Sequence, residues 1–324
     1  MRRSLFRLAV VVAIVLVAGL LLAMNVLRVT QAQIDSLNPQ LPDYRQIMAS
    51  RQAHLPTAIH FLPTASRSIA RDLLLNAQQD SMPKGEVDLS FPAFVLTWSD
   101  GRRFVIDGGL EANPKGSFLR LVEWLVNSVD GQPMLYQQAL HKRLDLASIQ
   151  GLGLTHLHKD HTAGLKGLCA AGAQMTTYQT VEQFTMQNYL TFGGDDDLAA
   201  MTCSTRLVLA EQDSLLRDVQ GFPGLFLVHV AGHTPGSQVF IAHVRRPTGV
   251  TTYVIGGDIA NHQDGVTHNI GKPFWYSRWL VPENLAQMRR LREWLKSLAS
   301  RHQLQVLLSH DLRALKDSDV PALD

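Results

Sequence analysis

Apolar residues along this chain fall into three kinds of run, and each predicts a different element. The first is the stretch 8–27, which carries no charge and only one strongly polar side chain, Asn25. At 1.5 Å per residue it reaches about 30 Å, the thickness of a bilayer's hydrocarbon core, so it predicts a transmembrane helix. The second kind is short and rich in β-branched residues: 59–62, 149–154, 225–230, 253–255 and 306–308. These predict buried strands. Runs 91–98 and 103–107 flank Asp100-Gly101 and predict a hairpin. The third kind repeats every 3.6 residues: Leu285, Met288, Leu291, Leu295 and Leu298 predict one helix face turned to the core, with Pro282 at its start. Residues 118–126 carry a helical spacing too.

These runs divide the chain into an anchor over 1–28, a polar linker and lead-in over 29–55, and one globular domain over 56–324. Arg2, Arg3 and Arg7 precede the apolar span, against Arg28 alone just after it, which orients the N-terminus inward. For a bacterial chain this means a single pass through the inner membrane, a cytoplasmic N-terminus and a periplasmic domain. The alternative is a signal peptide cleaved near Ala32 with secretion to the periplasm, a weaker fit because Thr30 and Arg28 spoil the cleavage pattern. The net charge of +2 is scattered over the sequence and implies no nucleic-acid partner. Cys169 and Cys203 lack Cys-x-x-Cys spacing, so Cys169 reads as a small core residue and pairing stays open. The acidic triplet Asp195-Asp196-Asp197 reads as a solvated loop. There is no repeat, phosphate-binding glycine loop or Gly-x-Ser-x-Gly nucleophile motif.

The candidate chemistry lies at the ends of the predicted strands. His156-Leu157-His158-Lys159-Asp160-His161 follows the run 149–154 and puts three imidazoles and one carboxylate into six positions. His233, Asp258 and His310 each follow a strand of their own. A lone buried histidine is ordinarily a hydrogen-bonded core residue, and His54, His60, His141, His229, His243 and His302, without ligand spacing, are read that way. Four ligating groups in six residues make poor core. Imidazole and carboxylate suit zinc, with manganese or iron as alternatives. Seven such groups exceed one tetrahedral ion and suit two divalent ions about 3.5–4 Å apart, bridged by a shared carboxylate. In extended backbone His156 and His158 point to the same side, and Asp160 and His161 lie beyond, facing a second ion.

This order of motifs, with Gly232-His233-Thr234-Pro235-Gly236-Ser237, Gly256-Gly257-Asp258 and Ser309-His310, resembles the metallo-β-lactamase superfamily over roughly residues 57–312. The turn Phe104-Val105-Ile106-Asp107-Gly108-Gly109 is similar to that family's early strand. The resemblance implies an α/β fold, an αββα sandwich, preceded here by the transmembrane helix. It implies that His156, His158 and His233 hold a first metal, that Asp160, His161 and His310 hold a second, and that Asp258 bridges. Asp107 is read as a hydrogen-bond partner behind the ligands, and Asp160 and Asp258 as the catalytic carboxylates. True β-lactamases lack the bridging aspartate, so its presence points to the binuclear branch, similar to glyoxalase II and acyl-homoserine lactonases. Those lactonases carry a tyrosine soon after it. Here the stretch reads Asp258-Ile259-Ala260-Asn261-His262, leaving Tyr276 or His262 as substitutes.

The implied activity is hydrolysis of an ester, thioester or lactone by a metal-activated hydroxide. The partners are a small-molecule substrate and the membrane, with no nucleic acid. Tyr189, Phe192, Trp275, Tyr276 and Trp279 are candidates to line a pocket, and His262 and His268 to touch substrate. Phosphodiester hydrolysis is the second reading, with Lys159, Lys166 and Lys272 as its cations. A non-catalytic, membrane-attached metal-binding module is the third.

Overall fold

The computed structural model describes residues 2–76, 85–110, 133–186, 188, 194–209 and 214–323. The strands are β1 (Ala58–Ala70), β2 (Glu86–Thr97), β3 (Arg103–Ile106), β4 (Leu135–Tyr136), β5 (Ile149–Gly153), β6 (Met175–Thr180), β7 (Ser204–Leu209), β8 (Arg217–Asp218), β9 (Leu225–His229), β10 (Gln238–Arg246), β11 (Gly249–Ile255) and β12 (Leu304–Leu307). They form two sheets, ordered β4-β1-β2-β3-β5-β6-β7 and β12-β11-β10-β9-β8. The helices used below are α1 (Arg2–Asp35), α2 (Tyr44–Ala49), α3 (Lys159–Thr162), α4 (Leu165–Ala170), α5 (Gly194–Ala199), α6 (Leu285–Ala299) and α7 (Leu312–Asp317).

The period-two alternation of the strands explains the layering. Phe94, Leu96, Phe104 and Ile106 of the first sheet pack against Leu227, Phe240, Ala242, Tyr253 and Ile255 of the second. The residues between them face outward. Val95, Val105 and Leu152 meet Leu165 and Leu168 of α4. Phe226, Val228, Val239, Ile241 and Val254 meet Met288, Leu291, Leu295 and Leu298 of α6. The result is helix, sheet, sheet, helix, with each buried aliphatic contributing roughly 1.5–3 kcal/mol. One member of the predicted α6 stripe departs: Leu285 is 50% exposed. The helix is capped by Asn284, whose side chain accepts Gln287 N at 2.9 Å.

The hairpin forms as predicted. Phe94 pairs with Ile106 and Thr97 with Arg103, and Gly101 closes the turn at φ 88. β2 starts five residues before the predicted run, because its first half pairs with the long β1.

The lead-in after residue 28 differs from the expected linker. α1 continues past Arg28 to Asp35, and α2 starts at a capping box made by Asp43 and Gln46. Ile34 and Ile47 are fully buried, and Pro42 O accepts Trp294 Nε1 at 2.8 Å. Residues 29–55 thus include packed structure, because their few apolar side chains have a surface on α6 to cover. The most apolar window of Val10–Asp35 has a mean hydropathy of 2.9 and is 0% buried, which fits a membrane span and a signal sequence alike.

One reading left open is settled and another is corrected. Cys169 and Cys203 form a disulfide that ties α4 to the start of β7. Asp197 is no solvated loop residue: it lies in α5, 5% exposed, where its carboxylate pairs with Lys159 and accepts Thr162 Oγ1 at 2.7 Å. The predicted helix 118–126 lies outside the described residues, as do Tyr189 and Phe192.

Candidate metal centre

The predicted ligands gather where strands end. His156 and His158 lie just beyond β5, His233 beyond β9, Asp258 beyond β11 and His310 beyond β12. The two sheets are stitched together at this edge, where Gln238 N donates to Thr155 O at 2.6 Å. Gly257 lets the chain turn into Asp258. It has φ 53, and a Cβ there would lie 2.8 Å from that of Thr155.

One group contains His156, His158 and His233. His156 Nε2 lies 3.0 Å from His158 Nδ1, and His233 Nε2 lies 3.1 Å from the same atom. Thr155 Oγ1 gives its hydrogen to Asp107 Oδ2, so it accepts from His156 Nδ1 at 3.3 Å, leaving Nε2 a bare lone pair. Zinc–nitrogen bonds near 2.0–2.1 Å in a tetrahedron set ligand nitrogens roughly 3.3 Å apart. Three imidazole nitrogens converging at these distances fit a divalent cation.

A second group contains Asp160, His161 and His310. His161 Nδ1 donates to Asp107 Oδ2 at 2.8 Å, and His310 Nδ1 donates to Ser90 O at 2.8 Å. Once deprotonated, both rings would turn an Nε2 lone pair inward, the arrangement that orients histidine ligands. His161 Nε2 is buried and lacks a hydrogen-bond partner, as does Asp258 Oδ1. Orphaned buried atoms of this kind fit the donor set of a cation.

Asp258 stands between the groups. Its Oδ1 lies 2.9 Å from His310 Nε2 and 3.3 Å from His161 Nε2, while Oδ2 lies 3.6 Å from His233 Nε2. Asp107 is held at φ 63, a left-handed conformation that aspartate tolerates better than most residues. Its fully buried carboxylate accepts from Thr155 N at 2.7 Å as well as from Thr155 Oγ1 and His161.

Charge is divided within this cluster. Burial holds His156 and His158 well below the usual imidazole range, with neighbouring imidazoles adding to it. Burial and then Lys272 lower His233. At His161 burial is outweighed by Asp107 and Asp160, so its pKa is raised well above the usual value. Burial would raise Asp258, but His310 and Lys272 win and hold it well below the carboxylate range. The first group thus offers neutral imidazoles beside the ionised Asp258, whereas His161 and His310, the latter raised by Asp258 and Asp160 against burial, hold protons that a cation would displace.

Two residues behind the centre were only partly foreseen. Glu283 had no sequence signal. Its Oε1 accepts His233 Nδ1 at 2.6 Å and Lys272 Nζ at 2.9 Å, and its Oε2 accepts Ser277 Oγ at 2.6 Å. Lys272 and then His233 outweigh burial and lower the Glu283 pKa to about 2. Lys272, foreseen only as a possible phosphate contact, lies 3.8 Å from Asp258 Oδ2. Tyr276 joins this side, its ring 5.3 Å from Lys272 Nζ. Burial, then the carboxylates of Asp258, Glu283 and Asp160, raise its pKa well above the usual value. His262 is engaged elsewhere: its Nδ1 accepts Asp264 N at 3.1 Å, and Nε2 lies 3.6 Å from Asp311. Trp275 is 48% exposed, and His268 borders a separate surface recess.

Residues 90–246 match the sequence profile of the metallo-beta-lactamase superfamily. That span includes His156, His158, Asp160, His161 and His233 and ends before Asp258 and His310. No curated protein matches the chain by sequence. Among solved structures, the chain is similar to an N-acyl homoserine lactone hydrolase with the product N-hexanoyl-L-homoserine at its catalytic metal center, at 14% identity and a TM-score of 0.56, covering 82% of this chain and 98% of that one. A B. thuringiensis enzyme with N-decanoyl-L-homoserine bound at its active site gives the same identity, score and coverage. A quorum-quenching N-acyl homoserine lactone lactonase gives 14% identity and a TM-score of 0.55, over 82% of this chain and 97% of that one. At such identities the likeness is one of fold.

Proposed function

We propose that this chain, whose residues 90–246 match the metallo-β-lactamase superfamily, is a membrane-anchored, binuclear metal-dependent hydrolase of an ester, thioester or lactone. The observation that carries the reading is Asp258, whose two oxygens face different ligand groups. A carboxylate in that position suits two ions sharing one bridge. His156, His158 and His233 would hold one, and Asp160, His161 and His310 the other. Zinc fits best, since the donors are nitrogen and carboxylate oxygen.

Bound ions of this kind supply Lewis acidity, which lowers the pKa of water and polarises a carbonyl oxygen. The chain's own groups do the rest. Asp160 is the most open of the acidic ligands, its side chain 30% exposed and 3.5 Å from His310 Nε2. It is placed to take a proton from the attacking water and deliver it to the leaving alcohol or thiol. Asp107 and Glu283 fix the tautomers of His161 and His233. Tyr276 stays protonated and is assigned as the hydrogen-bond donor to the substrate carbonyl. His262, the alternative, is held by its own hydrogen bonds.

Phosphodiester hydrolysis is less well supported, because the local lysines are spoken for. Lys159 pairs with Asp197 and Lys272 with Glu283, while Lys166 is exposed. The acyl homoserine lactone neighbours favour a carbonyl substrate. The exposed apolar face of α1 supports an anchor, and the arginine bias supports an inward N-terminus. The Cys169–Cys203 disulfide supports an oxidising compartment for the domain, the periplasm in a bacterial cell.

Elemental analysis of full-length protein purified without chelator tests the proposal. About two ions per chain are expected, together with turnover of a lactone, aryl ester or thioester in preference to bis-p-nitrophenyl phosphate. One ion per chain that persists after metal is added back contradicts the binuclear reading.

A further inference from the structure

A recess of about 470 Å³ lies beside the metal centre, with Lys272 as their shared wall. Its charges do not balance. Lys272 is matched by Glu283 at 2.9 Å, and Arg289 by Glu293 at 3.2 Å. Arg292 also lines the recess and is only 7% exposed. Its Nε donates to the neutral Asn269 Oδ1 at 2.9 Å, and among the described residues it makes no ion pair. A guanidinium carries five donors in a planar fork, and burying it without a carboxylate is costly. Burial lowers the Arg292 pKa, with Glu283 partly restoring it.

The rim has the opposite character. Phe274 is 59% exposed and Leu285 50% exposed, and both border the same recess. Neighbouring Asn284 donates to Asp35 Oδ1 at 2.7 Å, at the end of the apolar helix α1. One edge of the recess, at Leu285, therefore adjoins the residue that meets the end of α1.

We propose that this recess binds an amphiphilic organic monoanion, with its carboxylate on Arg292 and its apolar part against Phe274 and Leu285. The planar fork matches a carboxylate bidentately, and the exposed rim offers apolar surface that a tail would remove from water. The inference goes beyond the hydrolase reading and needs no metal.

Isothermal titration of the metal-loaded full-length chain tests it. The probes are 4-phenylbutyrate, its neutral analogue 4-phenylbutanol, and inorganic phosphate. Phenylbutyrate is expected to bind at least about tenfold more tightly than phenylbutanol or phosphate. Arg292→Gln keeps a donor for Asn269 but loses the charge. It should erase the preference for the acid and leave phenylbutanol unchanged. Leu285→Glu, a change at an exposed position, should weaken phenylbutyrate at least about tenfold by repulsion. Equal binding of acid and alcohol in the wild type overturns the proposal, as does phosphate binding as tightly as phenylbutyrate. A preference that survives Arg292→Gln assigns the acid to the metal centre instead. Failure of the hydrolase assay would leave these titrations unaffected.

Discussion

His233 donates its Nδ1 hydrogen to Glu283 Oε1 across 2.6 Å, and the same oxygen receives Lys272 Nζ at 2.9 Å. A histidine at the heart of the cluster is thus aimed by an acid fifty positions further along the chain. Such outer partners typically hold a tenfold to hundredfold share of metal affinity. Glu283→Gln should therefore weaken zinc binding by about 10–100-fold, read by competition with a chromophoric chelator. Unchanged affinity would confine Glu283 to holding Ser277 and Lys272.

Asp107 does the corresponding work for His161. Asparagine also tolerates the left-handed backbone, so Asp107→Asn keeps the turn but puts an amide where three donors now converge. Turnover should fall by about 10–100-fold. Asp107→Ala should in addition lower stability by about 1–3 kcal/mol, since buried donors lose their acceptor. Chemical denaturation separates the two effects.

How far these relationships were legible depended on how local their signals are. His156, His158, Asp160 and His161 share six positions, and His233, Asp258 and His310 each follow an apolar run, so the structure gathers them as the motif implied. Asp107 was readable because its turn is part of the same pattern. Glu283 was not, because one glutamate before a helix looks like any solvated charge until the fold sets it against His233. Residues 29–55 looked like linker because their few buried side chains, Ile34 and Ile47 among them, show no period. Asp197 looked solvated for a similar reason: its partners, Lys159 and Thr162, are distant in sequence.

His243 provides a pH test away from the metal centre. It is fully buried between Thr252 Oγ1 and Ser50 Oγ, at 2.8 and 3.0 Å. Burial, with Arg51 adding to it, lowers its pKa from 6.5 to about 4. Between those values the unfolded chain binds more protons than the folded one, so stability rises with pH. The contribution is complete above pH 6.5 and lost as pH falls to about 4. It amounts to at most about 3 kcal/mol. His243→Gln should flatten that part of a urea-denaturation pH series. An unaltered slope would exclude His243 as its source.

The disulfide closes a loop over a sequence separation of 34 residues. Loop-closure entropy for that length is worth about 3–4 kcal/mol. Cys169→Ser with Cys203→Ser should lower unfolding stability by up to that amount. Thiol trapping in cells should find both cysteines blocked from alkylation until reductant is added. Free thiols in the freshly trapped protein would contradict a periplasmic domain.

The central claim, that two ions act through one bridging carboxylate, is tested most directly at Asp258. The measurement is the lactone or aryl-ester turnover of metal-loaded wild type beside Asp258→Asn, with metal content determined on the same samples. The substitution keeps the shape but removes a charge facing both ligand groups. Turnover is predicted to fall by at least about a hundredfold, with a loss of bound metal. Turnover and metal content that both survive the substitution would show that Asp258 does not bridge and that the binuclear account is wrong.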